Sequence, residues 1–310
     1  MHYAHPTPKV LSVNVHQGTP EELADVRKFF TATAILLLGF SLPLYQVMGF
    51  ALNSAFYSYI VIIPFISGYL VWIERPGFFP AGQRLPVGWA VALWTCGLGL
   101  LLWAGLLFFA TGKPDPTNLF ALSMYSLVFL LAGLACHFLG RRTLRIVAFP
   151  LAFLLFLAPF PASLDTRLET MLQYGSSITA HAFFELAGMP VLRNGTYFQL
   201  PGFSMQVAPE CSGLRSSMAL FLTSLVAGQM FLRSPWKRVV FSTLVLPLAL
   251  LRNGFRVFTI GELCVQVSPK MIDHWIHHKG GPVFFALSLI PFSLILYFLR
   301  RSDQPDKLIR

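Results

Sequence analysis

Three kinds of side chain able to do acyl chemistry stand in the C-terminal third of the sequence. Cys211 lies in Ala208-Pro209-Glu210-Cys211-Ser212-Gly213-Leu214-Arg215-Ser216-Ser217. Proline suits the first turn of a helix, so Cys211 is expected near a helix N-terminus, where the dipole and unpaired amides lower a thiol pKa. Arg215 would share a face of that helix with Cys211 and favour the thiolate further. Arg256 lies in Leu251-Arg252-Asn253-Gly254-Phe255-Arg256-Val257 and can share a helix face with Arg252 or with Asn253. An arginine beside a thiolate can stabilise an oxyanion or hold a carboxylate. His274, His277 and His278 stand in Asp273-His274-Trp275-Ile276-His277-His278-Lys279-Gly280-Gly281. Histidine is the usual general base for a thiol, and Asp273 is a candidate to orient one of them, although nearness in sequence alone does not establish it.

Each of these residues also has an ordinary role open to it. A cysteine in a membrane protein can pack like alanine. An arginine near a span end can snorkel to the headgroups, and a loop histidine need have no role. A histidine cluster invites a metal reading, but the nearby acidic residues are only Asp273, Glu262 and Glu210, so no metal and no cofactor is expected. The four cysteines show no CxxC and no zinc-like spacing. Cys96 and Cys136 sit inside apolar runs and read as small hydrophobes. Cys264 stays open as a disulfide partner of Cys211, which would make the chain a membrane thiol oxidoreductase.

These groups need a scaffold, and the composition says which solvent it sits in. The 310 residues are 55% hydrophobic, 15% aromatic and 12% charged, with a mean hydropathy of +0.64. Soluble domains carry about a quarter charged residues, so this chain lacks the polar surface to cover itself in water. Its formal charge of +10 fits the basic inner loops of a membrane protein better than a nucleic-acid partner. A helix crossing the hydrocarbon needs about 20 apolar residues. Candidate spans run over 29–48, 51–73, 87–110, 118–138, 144–160, 211–232, 239–259 and 282–299. The expected fold is therefore an all-α polytopic bundle of about eight transmembrane helices. Arg27, Lys28, Arg75, Arg84, Arg141, Arg142, Arg145, Arg233, Lys237, Arg238, Arg300 and Arg301 fall at alternate span ends. The positive-inside rule makes those ends and both termini cytoplasmic. Cys211, Arg256 and the histidine loop then share the outer face.

Residues 164–189 are long enough to span yet hold Asp165, Arg167, Glu169, Gln173, His181 and Glu185. Leu164, Leu168, Leu172, Ile178, Ala182 and Leu186 recur near helical spacing, so an amphipathic helix on the outer surface, or a shallow re-entrant element, is expected. Asn194-Gly195 and Pro201-Gly202 are turn signals. Thr196 to Leu200 and Phe203 to Val207 are expected to pair as a hairpin before the span that opens at Cys211, serving as a lid, a substrate-binding edge or a plain loop. Residues 1–28 read as a cytoplasmic tail with an uncleaved anchor behind it. Residues 29–300 read as one membrane domain, and 301–310 as a cytoplasmic tail.

Cys211-Ser212-Gly213-Leu214-Arg215-Ser216, then Asn253-Gly254-Phe255-Arg256, then His277 followed by Gly281, resemble the motifs of the exosortase/archaeosortase family. The resemblance implies a cysteine peptidase or transpeptidase of the bacterial inner membrane, with its active site at the outer, periplasmic face. Its partners would be exported proteins with a C-terminal sorting signal: a short motif of the Pro-Glu-Pro kind, a transmembrane helix and a basic tail. Cell-surface polysaccharide machinery is a further partner of such systems. Carried over, Cys211 is the nucleophile, Arg256 the substrate or oxyanion stabiliser and His277 the base. The doubled histidine keeps His278 as an alternative, with Arg215, Asn253 and Ser212 as supports. A rival reading from another class is a transporter or polysaccharide-export component with Arg256 as an anion site. Paired broken spans in repeated halves, expected of a transporter, are not found in the sequence.

Overall fold

Long uncharged runs of Leu, Phe, Val and Ala favour helix in an apolar solvent, because the backbone there has no hydrogen-bond partner but itself. The computed structural model describes residues 20–54, 56–73, 85–112, 115–273 and 280–303. They form ten α-helices and a small sheet, grouped in two compact units: residues up to Asn53 with Ile60–Pro159, and Ser54–Tyr59 with Phe160–Arg310.

The first unit contains α1 (Pro20–Gly39), α2 (Ser41–Asn53), α3 (Ile63–Ile73), α4 (Val87–Thr111), α5 (Pro116–Phe138) and α6 (Arg141–Phe153). The spans expected at 29–48 and 51–73 are divided differently. The break falls at Phe40, where α1 and α2 bend by 65°, and α2 runs unbroken through the expected gap to Asn53. Gly39 and Pro43 flank the break: Pro43 has no amide to donate to the Gly39 carbonyl, and helices bend at such residues. Asp115 caps α5 by accepting from the Thr117 amide at 2.8 Å, with Pro116 in the first turn. Ser126 Oγ donates to the Gly97 carbonyl at 2.8 Å, joining α5 to α4 where small residues let them approach. Leu102, Leu106 and Phe109 of α4 are 69%, 70% and 85% exposed. In water such a face would be untenable; against lipid it is the expected one.

The second unit carries the site. Here α7 (Ala162–Leu186) leads through β1 (Leu192–Asn194), β2 (Tyr197–Leu200) and β3 (Phe203–Gln206) to α8 (Leu214–Phe231), α9 (Pro235–Gln266) and α10 (Gly281–Arg301). The hairpin expected around Pro201-Gly202 is present as β2 and β3, with Gly202 at φ +71°. Asn194-Gly195 turns a third strand, β1, onto it, giving the antiparallel order β1-β2-β3. The buried sheet face, with Phe198, Leu200, Met205 and Val207, packs on Ala180 and Phe184 of α7 and Val257 of α9.

The expected apolar stripe of α7 is not the face that the protein buries. Leu164, Ile178 and Leu186 are 41%, 47% and 84% exposed, while Ser176, Ser177, Ala180 and Phe184 are buried. Apart from Phe184, the residues facing α9 are small, which allows the backbones to close in, while Leu164, Ile178 and Leu186 face outward. Gly175 packs on Leu250, Gly254 on Thr179, and Gly261 on Phe184. Those pairs rise together along both helices, so α7 and α9 run in the same direction side by side. Thr179 Oγ1 adds a hydrogen bond to the Leu250 carbonyl at 3.0 Å. The helix expected on the outer surface or as a re-entrant element is thus packed closely against α9.

Among the described residues α4, α5, α9 and α10 are long and apolar enough to cross a membrane. Two interrupted pairs, α1 with α2 and α6 with α7, raise the number to six if each is one span. This is an all-α polytopic membrane bundle, with four to six such spans against the eight expected. At the foot of α9, the Asp303 carboxylate accepts from Ser234 Oγ at 2.5 Å and from the Arg233 and Ser234 amides, with Lys237 Nζ at 3.2 Å. The Ser234 hydroxyl first, then the two amides and Lys237, hold this carboxyl well below the usual carboxylate range.

Two outcomes are expected. Gly254→Ala would push a methyl into the Thr179 side chain and to 2.9 Å from the Ala180 backbone nitrogen. Overpacking of that kind costs about 1–3 kcal/mol, so thermal unfolding in detergent should come earlier, while Gly99→Ala, which meets nothing within 4 Å, should not lower it. Equal effects would contradict the packing described. Because the Asp303 pKa is depressed, its contribution is present above the unfolded value of about 3.9 and fades as pH falls below it. The stability gap between wild type and Asp303→Asn should therefore narrow below about pH 4.

Candidate active site

Strand β3 runs on through Val207 and Ala208 into a single 3-10 turn, Pro209–Cys211, and only after Ser212 and Gly213 does α8 begin. Cys211 thus precedes the helix instead of opening it, and its amide is already bonded to the Ala208 carbonyl at 2.9 Å. Pro209 does start a helical turn, as its fixed φ favours, but a 3-10 one. The break is Gly213, at φ +78°, a conformation that costs other residues about 1–2 kcal/mol. A Cβ there would also lie 2.6 Å from Asn253 Cγ. Both reasons require glycine.

The turn is held from three sides. Asn253, on α9 and 2% exposed, places its Nδ2 2.9 Å from the Cys211 carbonyl and 2.9 Å from Ser176 Oγ of α7. One amide thereby ties the Cys211 backbone to two helices. The Gly213 carbonyl accepts from Ser216 Oγ at 3.1 Å, from Ser217 Oγ at 2.8 Å and from the Ser217 amide at 2.9 Å. Arg252, buried one turn from Arg256, reaches the same carbonyl and Ser217 Oγ at 3.4 Å each. Ser212 is buried, and its Oγ accepts from the Leu214 amide at 3.4 Å. Gln173 of α7 donates to the Val207 carbonyl at 2.5 Å and fixes the strand end that leads to the turn.

Cys211 and Arg256, both half-buried, line one cavity of about 210 Å3. Its other walls are Met205, Gln206, Val207 and Ala208 on one side, and Val257 and Ile260 of α9 on the other. The cavity thus sets a thiol and a guanidinium in one largely apolar cleft. Arg252, one turn away, adds to the positive potential.

The expected residues divide as follows. Cys211 and Arg256 are brought together, with Asn253 and Ser212 directly around the turn. Arg215 is exposed and is not among the cavity's lining residues: the break at Gly213 takes it off the helical register with Cys211. His274, His277 and His278 lie outside the described residues. Cys264 is buried on α9, does not line the cavity, and none of the four cysteines forms a disulfide. Among the described residues no cluster of His, Cys, Asp and Glu could hold a metal ion. Sequence reasoning missed Ser176, Gln173 and Ser217 as parts of this framework. The polar residues inside a long helix were the available signal for the first two.

Fold and cavity together define a polytopic membrane protein with a thiol and an arginine converging in a cleft at a helix junction. The chain belongs to the transmembrane exosortase family, whose model matches residues 51–294. That family is one of membrane proteases and transpeptidases acting through cysteine. Neither a search of curated proteins nor one of solved structures finds a match.

Gly213→Ala should lower the unfolding temperature through the left-handed backbone and the collision with Asn253. Combining it with Asn253→Ala should cost less than the sum of the two single changes, because the colliding amide is gone. Strict additivity in a double-mutant cycle would contradict the contact.

Proposed function

We propose that this protein is a cysteine peptidase or transpeptidase of the bacterial inner membrane that cleaves the C-terminal sorting signals of exported proteins. The observation that carries the reading is the shared cavity of Cys211 and Arg256, residues far apart in sequence and drawn together by α9 and the turn before α8. Both termini are cytoplasmic in this reading, and the cavity opens at the outer face. A substrate with its own membrane helix would present its scissile bond there. Residues 29–300 form the catalytic membrane portion, and the flanking tails are cytoplasmic.

In the proposed reaction the Cys211 thiolate attacks the scissile carbonyl carbon, and Arg256 stabilises the oxyanion that forms. Collapse breaks the C–N bond and leaves a thioester. The leaving amine takes a proton from an imidazolium, that of His277, or of His278 as the neighbouring alternative. An amine acceptor or water then attacks the thioester, gives up a proton to the imidazole and regenerates the thiolate. Asn253 and Arg252 act through the turn, holding Cys211 in place. The family membership supports the chemistry, and the tripartite sorting signal as substrate follows from the motif resemblance. The oxidoreductase alternative loses support because Cys264 is buried off the cavity.

Cys211→Ala and Cys211→Ser should abolish processing of a co-expressed substrate with a tripartite tail, and Cys264→Ala should leave it intact. Arg256→Ala should lower the processing rate by about 10²–10³, the effect of losing one oxyanion donor. Cleavage by the Cys211 variants at the wild-type rate would sink the peptidase reading. For placement, a membrane-impermeant thiol reagent added from the outer side should label Cys211, and labelling confined to the cytoplasmic side would overturn the orientation.

A further inference from the structure

Strand β3 is an outer strand of the sheet, and its register shows which backbone groups are already used. The Val207 N–H donates to the carbonyl of Thr196, directly opposite, at 3.0 Å. Opposed residues in an antiparallel ladder alternate between bonded and non-bonded pairs. Thr196–Val207, Phe198–Met205 and Leu200–Phe203 are therefore bonded pairs, and Tyr197–Gln206 and Gln199–Ser204 are not. The N–H and C=O groups of Ser204 and Gln206 consequently point away from β2, to the open edge. Both residues are exposed. Gln206 also lines the cavity that holds Cys211 and Arg256.

An open strand edge that leads directly to a nucleophile is a template for an extended peptide. We propose that the substrate segment beside the scissile bond binds as a further strand on β3, exchanging backbone hydrogen bonds with Ser204 and Gln206. This rests on the peptidase reading and specifies how that site takes its substrate. The opposite edge of the sheet is β1, and no β1 residue lines the cavity. Val257 and Ile260 of α9 line the same cavity as Gln206 and give an apolar wall beside the added strand. Recognition through the backbone has a period of two, because alternate residues of a strand turn their N–H and C=O to the same edge. Substrate residues whose amides face β3 are essential, and those between them are free of that demand.

The test uses the full chain in lipid nanodiscs and a synthetic peptide of Pro-Glu-Pro, an apolar helix and a basic tail. N-methyl groups are moved one residue at a time through the non-proline positions flanking the Pro-Glu-Pro motif. The expected result is alternation: roughly tenfold slower processing where the amide donates to β3, and rates near the parent's in between. A flat profile, with the parent peptide processed, would overturn strand addition and leave the peptidase reading standing. Failure of wild-type protein to process the parent peptide would overturn both.

Discussion

The arrangement depends on one close approach, that of the Asn253 side chain to the turn Cys211-Ser212-Gly213. A single amide nitrogen faces the Cys211 carbonyl and Ser176 Oγ at 2.9 Å each. It reaches both because Gly213 has no Cβ and adopts a left-handed backbone. Asn253 in turn sits that deep because Gly254 lets α9 reach the α7 backbone at Ala180 and Gly175 makes room for Leu250. Larger side chains at these positions would force the helices apart, and with them the turn from Arg256. The thiol is thus positioned by packing of small residues, not by a helix N-terminus.

Burying these polar groups is feasible because most of them satisfy one another, although Arg252 Nη1 is buried without a hydrogen-bond partner among the described residues. The Gly213 carbonyl collects donors from Ser216, Ser217 and Arg252, and the Val207 carbonyl takes Gln173. A buried polar group without a partner costs about 1–3 kcal/mol, so the network rigidifies the segment from β3 to α8. Rigidity of this kind suits the role proposed for Cys211, since attack geometry tolerates little displacement. The sheet extends the same logic: its buried face rests on α7 and α9, and its outer edge stays open beside the cleft.

How much of this was readable in advance varies with the physics involved. The lipid environment follows from composition, since 12% charged residues cannot cover a globule of this size. The pairing of β2 with β3 follows from Pro201-Gly202, whose turn chemistry is local. Strand β1 escaped because Leu192–Asn194 is too short to show alternation. The buried face of α7 was misread because periodicity marks large apolar residues, and in lipid those face outward while Ser176, Ser177 and Ala180 turn in. The turn at Gly213 is hidden in the sequence because Pro209 announces a helical start. The left-handed backbone and the collision with Asn253, a residue distant in sequence, together make the glycine obligatory. Cys211 and Arg256 were legible as chemistry from their motifs, whereas their common cavity is a tertiary fact.

The central claim is that Cys211 carries an acyl group during turnover. The direct measurement is the intact mass and peptide map of the protein quenched in acid while processing a tripartite-tail substrate. The account predicts a hydroxylamine-sensitive adduct on the peptide containing Cys211, with the mass of the substrate portion ahead of the cut. Substrate turnover with no adduct on Cys211, or with the acyl group on another residue, would contradict it.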